Sequence, residues 1–222
     1  MKKIFGIILS AIGLNTLFSR DTESSFPPEL KVGERQPITT INLRSYLPDF
    51  LNPRSAASGI LIEIGKHESN GNYDVSFGNG KYGSARLTDM TLDEVREYQE
   101  VLLTNQRKAG IAVKNTSSAV GKYQFIRKTF DDTRNKLGLS GKTKFTPEIQ
   151  DQFAYYQLKQ SGWEEFIAGN LTIDDMMLKI SKIWASFPKD FSGLSYYSNV
   201  ANNKALVSPQ KVALILTQAQ ET

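Results

Sequence analysis

The sequence predicts a mainly α fold, α+β in detail, in which a helical body carries one small β-hairpin region after its first helix. Four segments open with strong N-terminal capping patterns, only one short segment alternates like a strand, and no internal repeat or low-complexity run interrupts the body. In chain order, residues 54–67 place Ile60 and Ile64 four apart and run into Ser69-Asn70-Gly71, a helix followed by a turn. Tyr73-Asp74-Val75-Ser76-Phe77 then alternates, and Gly78-Asn79-Gly80 behind it supplies the turn of a hairpin. Thr91-Leu92-Asp93-Glu94 has the Ser/Thr-x-x-Glu capping pattern, opening a helix through Val95, Tyr98 and Leu102 that closes by Gly110. Thr146-Pro147 and Ser208-Pro209 each pair an N-cap with proline at the first helical position, where a missing N–H costs nothing. Thr172-Ile173-Asp174-Asp175 opens a further helix through Met176, Ile180, Ile183 and Phe187.

Composition narrows the chemistry. The chain has 222 residues, 27 Lys plus Arg against 23 Asp plus Glu, and no cysteine. Thiol nucleophiles, disulfides, iron–sulfur clusters and Cys-based zinc sites are therefore excluded. The single histidine, His67, leaves no His-rich metal site, so neither a metal nor a cofactor is expected. It adjoins Glu68 but points elsewhere on a helix, and reads as structural or surface. A pI near 9.1 suits an anionic partner only weakly, because the net charge is +4. The basic residues are interspersed with acids and no nucleic-acid-binding motif appears, so nucleic acid is not an expected partner.

Carboxylates remain as the route to hydrolytic chemistry, and the candidate is Glu68 in His67-Glu68-Ser69-Asn70-Gly71. At the C-terminal end of a helix the negative end of the dipole disfavours its ionisation, and partial burial pushes the same way. A raised pKa makes a carboxyl a general acid at neutral pH.

Five ordered blocks give that glutamate a context: Glu68-Ser69 with Tyr73-Asp74-Val75, Ser118 to Phe125, Lys136 to Leu139 with Phe145 to Asp151, Ile183 to Pro188, and Ser195-Tyr196-Tyr197. Together they resemble the lysozyme-like phage peptidoglycan glycosidases, most of all the lambda-type endolysins and lytic transglycosylases, over about residues 58–215. The resemblance implies a lysozyme-like fold. It implies that Glu68 is the acid/base carboxyl protonating the glycosidic oxygen between N-acetylmuramic acid and N-acetylglucosamine. It further implies that Gly121 lets backbone approach the sugar, that Tyr123 and Gln124 line the cleft, that Ser69 hydrogen-bonds near the Glu68 carboxyl, and that Tyr196 or Tyr197 faces the cleft from the far wall. Tyr73 and Asp74 stand as further substrate-binding candidates. Tyr123 and Tyr196 as core aromatics, and Gln124 as a bridge between backbone groups, are the plainer alternatives, and Trp184 reads as core.

The lambda-type resemblance favours transglycosylation, which needs one acid, because the muramoyl 6-hydroxyl attacks intramolecularly. A hydrolysing lysozyme with Asp74 as second carboxylate, or a catalytically silent wall-binding module, are the alternatives. The expected partner is the peptidoglycan glycan strand. Residues 87–115 depart from the compact endolysins as an insertion.

Residues 1–19 set Lys2 and Lys3 before an apolar stretch, Ile4 to Phe18, diluted by Gly6, Ser10, Gly13, Asn15 and Thr16. This reads as an export segment, too short and polar for a confident permanent anchor. It resembles the signal-anchor-release segments of some phage endolysins, with residues 4–18 entering the inner membrane transiently; a cleaved signal peptide and a buried helix are the other readings. Residues 20–52, with Pro27, Pro28, Pro37 and Pro48, read as an extended linker, and residues 53–222 as the catalytic domain. The expected location is exported, tethered to the inner membrane or periplasmic, with the phage virion as alternative.

Overall fold

The computed structural model describes residues 56–198 and 205–221. The export segment and the linker expected over residues 1–52 lie outside the described residues. Among the described residues seven α-helices form: α1 (Ser58–Ser69), α2 (Leu92–Lys108), α3 (Arg127–Lys136), α4 (Pro147–Gln160), α5 (Trp163–Ile167), α6 (Ile173–Ser181) and α7 (Pro209–Gln220). Among the described residues no helix is long and apolar enough to cross a membrane.

The caps that the sequence announces are made. Thr91 and Thr172 each close a full capping box, with Glu94 and Asp175 answering back to the N-cap backbone. Thr146 and Ser208 accept from Ile149 N–H and Lys211 N–H ahead of Pro147 and Pro209. Each such cap contributes on the order of 1 kcal/mol. Three helices make no side-chain cap, α1 behind Ala57 among them. α3 follows Ile126 and α5 follows Gly162, neither of which makes a side-chain cap.

Burial assembles the bundle. α1 sends Ile60, Leu61 and Ile64 inward, α4 Phe153, Ala154 and Leu158, α6 Met176, Met177 and Ile180, and α7 Val212 and Leu216. α1 packs on α4 and α7, and α6 packs on α7. Phe130 from α3 meets Phe145 and Phe153 edge-on or tilted, at ring separations of 5.2 and 5.5 Å. Fully burying each such aromatic or aliphatic side chain is worth about 1.5–3 kcal/mol.

Two expectations are corrected. The first is the hairpin after α1, since no strand forms among the described residues. Residues 75–77 pair instead with the distant segment 119–121, through Phe77 N–H to Ala119 O at 2.9 Å and Gly121 N–H to Val75 O at 2.8 Å, an isolated bridge. The reason lies in Gly78, Asn79 and Gly80, which take φ of +80°, +51° and +86°. They wind the chain into successive tight turns rather than returning it antiparallel. Buried glutamines hold the irregular backbone that a sheet would otherwise pair. Gln99 Nε2 donates to Ser118 O and Phe125 O, Gln106 pins Ser117 through both its N–H and C=O, and Gln150 Nε2 donates to Tyr73 O and Phe145 O.

The second correction is the length of α6. It ends at Ser181, short of Ile183 and Phe187. Pro188 disfavours helix at the residue before it, and Trp184, Ala185, Ser186 and Phe187 are buried as an irregular segment. That early exit lets Ser186 face the end of α1.

Candidate active site

Glu68 is the penultimate residue of α1. The helix stops just beyond it because Asn70 adopts the left-handed conformation, φ +56°, with Asn70 N–H bonded to Lys66 O and Gly71 N–H to Gly65 O at 3.0 Å each. The Glu68 carboxyl keeps partial contact with solvent but is enclosed by protein on most sides. Ser186 Oγ donates to Glu68 Oε1 at 2.5 Å. Burial pushes the carboxyl up to about 7, against the opposing pull of the Ser186 hydroxyl and backbone N–H. No charged group contributes to this shift.

One turn earlier, an added Cβ on Gly65 would overlap the stem of Lys122, so the lysine crosses α1 closely there. Its Nζ donates to Tyr73 Oη at 2.8 Å and lies 3.2 Å from Asp151 Oδ1. Asp151 also accepts from Tyr73 Oη at 3.0 Å and from Tyr123 Oη at 2.7 Å. Lys122 Nζ sits over both rings, 4.6 Å from the centroid of Tyr73 and 5.0 Å from that of Tyr123. Burial and then the Asp151 charge hold both phenols well above their ordinary pKa, as neutral donors.

The other candidates fall in varied places. Ser69 Oγ donates to Gly65 O at 3.0 Å, bonding back along its own helix. Asp74 Oδ1 accepts from Thr88 N–H at 2.8 Å, stapling a single helical turn over Leu87–Asp89. Beside Asp74 lies a polar groove of about 440 Å³ lined in part by Asn72, Ser76, Ser84 and Arg86. Gly121 has φ +76°, and the side a Cβ would occupy is filled by the Gln150 amide and Phe145. Its glycine is thus required by internal packing. Tyr123 is a core aromatic, 2% exposed. Gln124 holds φ +52° and donates from Nε2 to Gly121 O at 2.9 Å, a bridge to backbone. Tyr196 is 47% exposed, packed edge-on against Tyr197 with Lys182 Nζ over its ring. Trp184 is buried in the core, its Nε1 donating to Tyr123 O at 3.3 Å. His67 Nε2 pairs with Glu63 Oε1 at 2.8 Å.

The sequence alone assigns no role to Ser186, Lys122, Gln150 or Asp151. All four lie in the ordered blocks that carry the resemblance, but Ser186 meets Glu68 across 118 positions of chain, which no local spacing announces. Among the described residues, no group of three His, Asp or Glu side chains comes together that could hold a metal ion. Chemically, the site offers one enclosed carboxyl at a helix end, with the neutral Ser186 hydroxyl on Oε1.

Comparison with known proteins gives one result. A family model described as Endolysin matches residues 57–208, more than half of the 222-residue chain. No curated protein and no solved structure matches.

Proposed function

The chain belongs to the endolysin family, phage cell-wall lytic enzymes that act on peptidoglycan, and from that premise we propose that it cleaves the β-1,4 bond between N-acetylmuramic acid and N-acetylglucosamine by lytic transglycosylation, with Glu68 as the acid/base. The observation that carries this reading is the setting of Glu68: an enclosed carboxyl at a helix C-terminus whose described partner is a neutral hydroxyl. Such a group keeps its proton near neutrality and can give it up there.

The steps follow from one group used twice. Glu68 donates its proton to the glycosidic oxygen, the bond from C1 of the muramoyl residue to that oxygen breaks, and the glucosamine end leaves with a hydroxyl. The 6-hydroxyl of the same muramoyl residue then attacks C1 and yields its proton to the Glu68 carboxylate. The product is a 1,6-anhydro end and the acid is restored. Intramolecular attack needs no second carboxylate. A lysozyme-like architecture belongs to the same proposal, as does delivery across the inner membrane by the basic and apolar residues 1–19.

The test is digestion of purified Gram-negative peptidoglycan by the chain and by Glu68→Gln, with muropeptides identified by mass spectrometry. Anhydro-muramic ends that vanish in the mutant are the expected outcome. Reducing muramic ends would replace transglycosylation by hydrolysis and bring Asp74 into the chemistry. No products from folded wild-type chain would leave a silent wall-binding module.

A further inference from the structure

We propose that Ser186 is the positioning residue of this site: its hydroxyl fixes Glu68 Oε1 as an acceptor, so the transferable proton resides on Oε2 and the anion left after transfer keeps a donor. The inference deepens the reading of Glu68 as acid/base and rests on it.

The geometry confines the serine. Ser186 is 0% exposed and follows Trp184 and Ala185, themselves buried. Its backbone carbonyl accepts from Leu206 N–H at 2.7 Å, tying it to the segment that leads into α7. Its hydroxyl therefore has little room to turn, and at 2.5 Å from Oε1 it is committed to Glu68. Were it to point elsewhere, a buried hydroxyl would be left unmatched.

A hydroxyl can donate to either form of the carboxyl, but the bond strengthens when the acceptor is ionised. The two stages thus differ. Before transfer, donation to Oε1 selects the tautomer with the proton on Oε2. After transfer, the same donor stabilises the carboxylate in an enclosed setting that otherwise disfavours charge.

Nearby charges are already engaged. On α1, Glu63 pairs with His67 and with Lys211 of α7, while Lys66 is exposed. Lys122, which crosses α1 at Gly65, is bound to Asp151, and Lys182 on the segment of Ser186 lies over the Tyr196 ring. None of them contributes to the Glu68 shift, so Ser186 is the named group able to tune this carboxyl.

The test is an NMR titration of glutamate Cδ in the full chain, carried out for wild type, Ser186→Ala and Ser186→Cys, with the Glu68 resonance assigned by its loss in Glu68→Gln. Removing the hydroxyl should raise the Glu68 midpoint by about one pH unit or more. The near-isosteric, weaker thiol donor should raise it less, and keeps the test open if the alanine variant does not fold. On soluble glycan strands, kcat should fall roughly tenfold in Ser186→Ala with KM nearly unchanged. An unmoved midpoint in a folded variant overturns the proposal, whatever happens to the rate, because a merely structural serine would change turnover without changing the titration. Wild-type cleavage by Glu68→Gln would instead overturn the acid/base reading itself, and with it this inference. A dead Glu68→Gln with an unmoved titration in Ser186→Ala overturns the positioning role alone.

Discussion

Two glutamates about a turn and a half apart on α1 behave in opposite ways, and what separates them is a countercharge. Glu63 is 5% exposed, whereas Glu68 keeps partial contact with solvent. Burial works against the charge of Glu63, yet hydrogen bonds and charges from Lys211 and His67 outweigh it and hold that carboxyl below its usual range. Burial also leads at Glu68, but only the neutral Ser186 opposes it, and the carboxyl is pushed up to about 7. Burial raises both carboxyls, and the presence of a countercharge decides which of them ends below its usual range. Glu63 ties α1 to α7, while Glu68 is left poised to hold and release a proton.

The largest effect that would break this contrast is on activity. Glu68→Gln should reduce cleavage by about 10² to 10⁴-fold, the usual worth of a general acid, as read by release of soluble muropeptides. Glu63→Gln should retain most of the activity of the folded enzyme. Comparable losses in both would dissolve the distinction.

Stability should separate them again with reversed sign. Below about pH 4.5, the Glu68 carboxyl is protonated in the folded and unfolded chain alike. As pH rises towards 7, the unfolded chain ionises while the folded one keeps its proton, so stability falls by up to about 3 kcal/mol. Glu68→Gln removes this penalty. Denaturant unfolding should show it more stable than wild type at pH 8.5 by up to that amount and equal to it at pH 4.

Glu63→Gln should destabilise by about 1–3 kcal/mol at pH 7, leaving His67 and Lys211 without their anion. Because the folded pKa of Glu63 is depressed, its contribution is present above its ordinary pKa and is lost as pH falls through the lower folded value. The mutant and wild type should thus converge as the pH falls below the ordinary carboxylate range. The smallest expected effect is that of Asp74→Asn. An asparagine Oδ1 can still accept from Thr88 N–H, so stability should stay within about 0.5 kcal/mol, and cleavage should weaken only a few-fold. An inactive but folded Asp74→Asn would bring a second carboxylate into the mechanism.

Glu68 and most of the helix boundaries are legible in the amino-acid sequence, whereas the pairing of Glu63 with Lys211 is not. The ending of α1 and the caps of α2, α4, α6 and α7 follow from side chains within four residues of each other, and local chemistry of that kind is written in order along the chain. Glu68 stands out because cysteine is absent and its helix end is marked by Asn70-Gly71. What escapes is non-local. Gly121 reads as an opening for substrate, but its missing Cβ makes room for Gln150 of α4. The alternating run at Tyr73 reads as half of a hairpin, but its partner lies beyond the whole of α2. Ser186 gains its role only because α6 stops early and the buried segment behind it reaches α1. Side-chain amides that satisfy irregular backbone, such as Gln99, Gln106 and Gln150, leave no periodic trace in a sequence.

The most direct test of the central claim is the pH dependence of the initial rate of glycan cleavage by the wild-type chain. If Glu68 must be protonated to start the reaction, the rate falls on the alkaline side with a midpoint of about 7. A midpoint near 4.5 would mean that the Glu68 carboxyl is not raised, and a rate that rises through pH 7 would mean that the reaction begins from an ionised carboxylate; either would contradict the account.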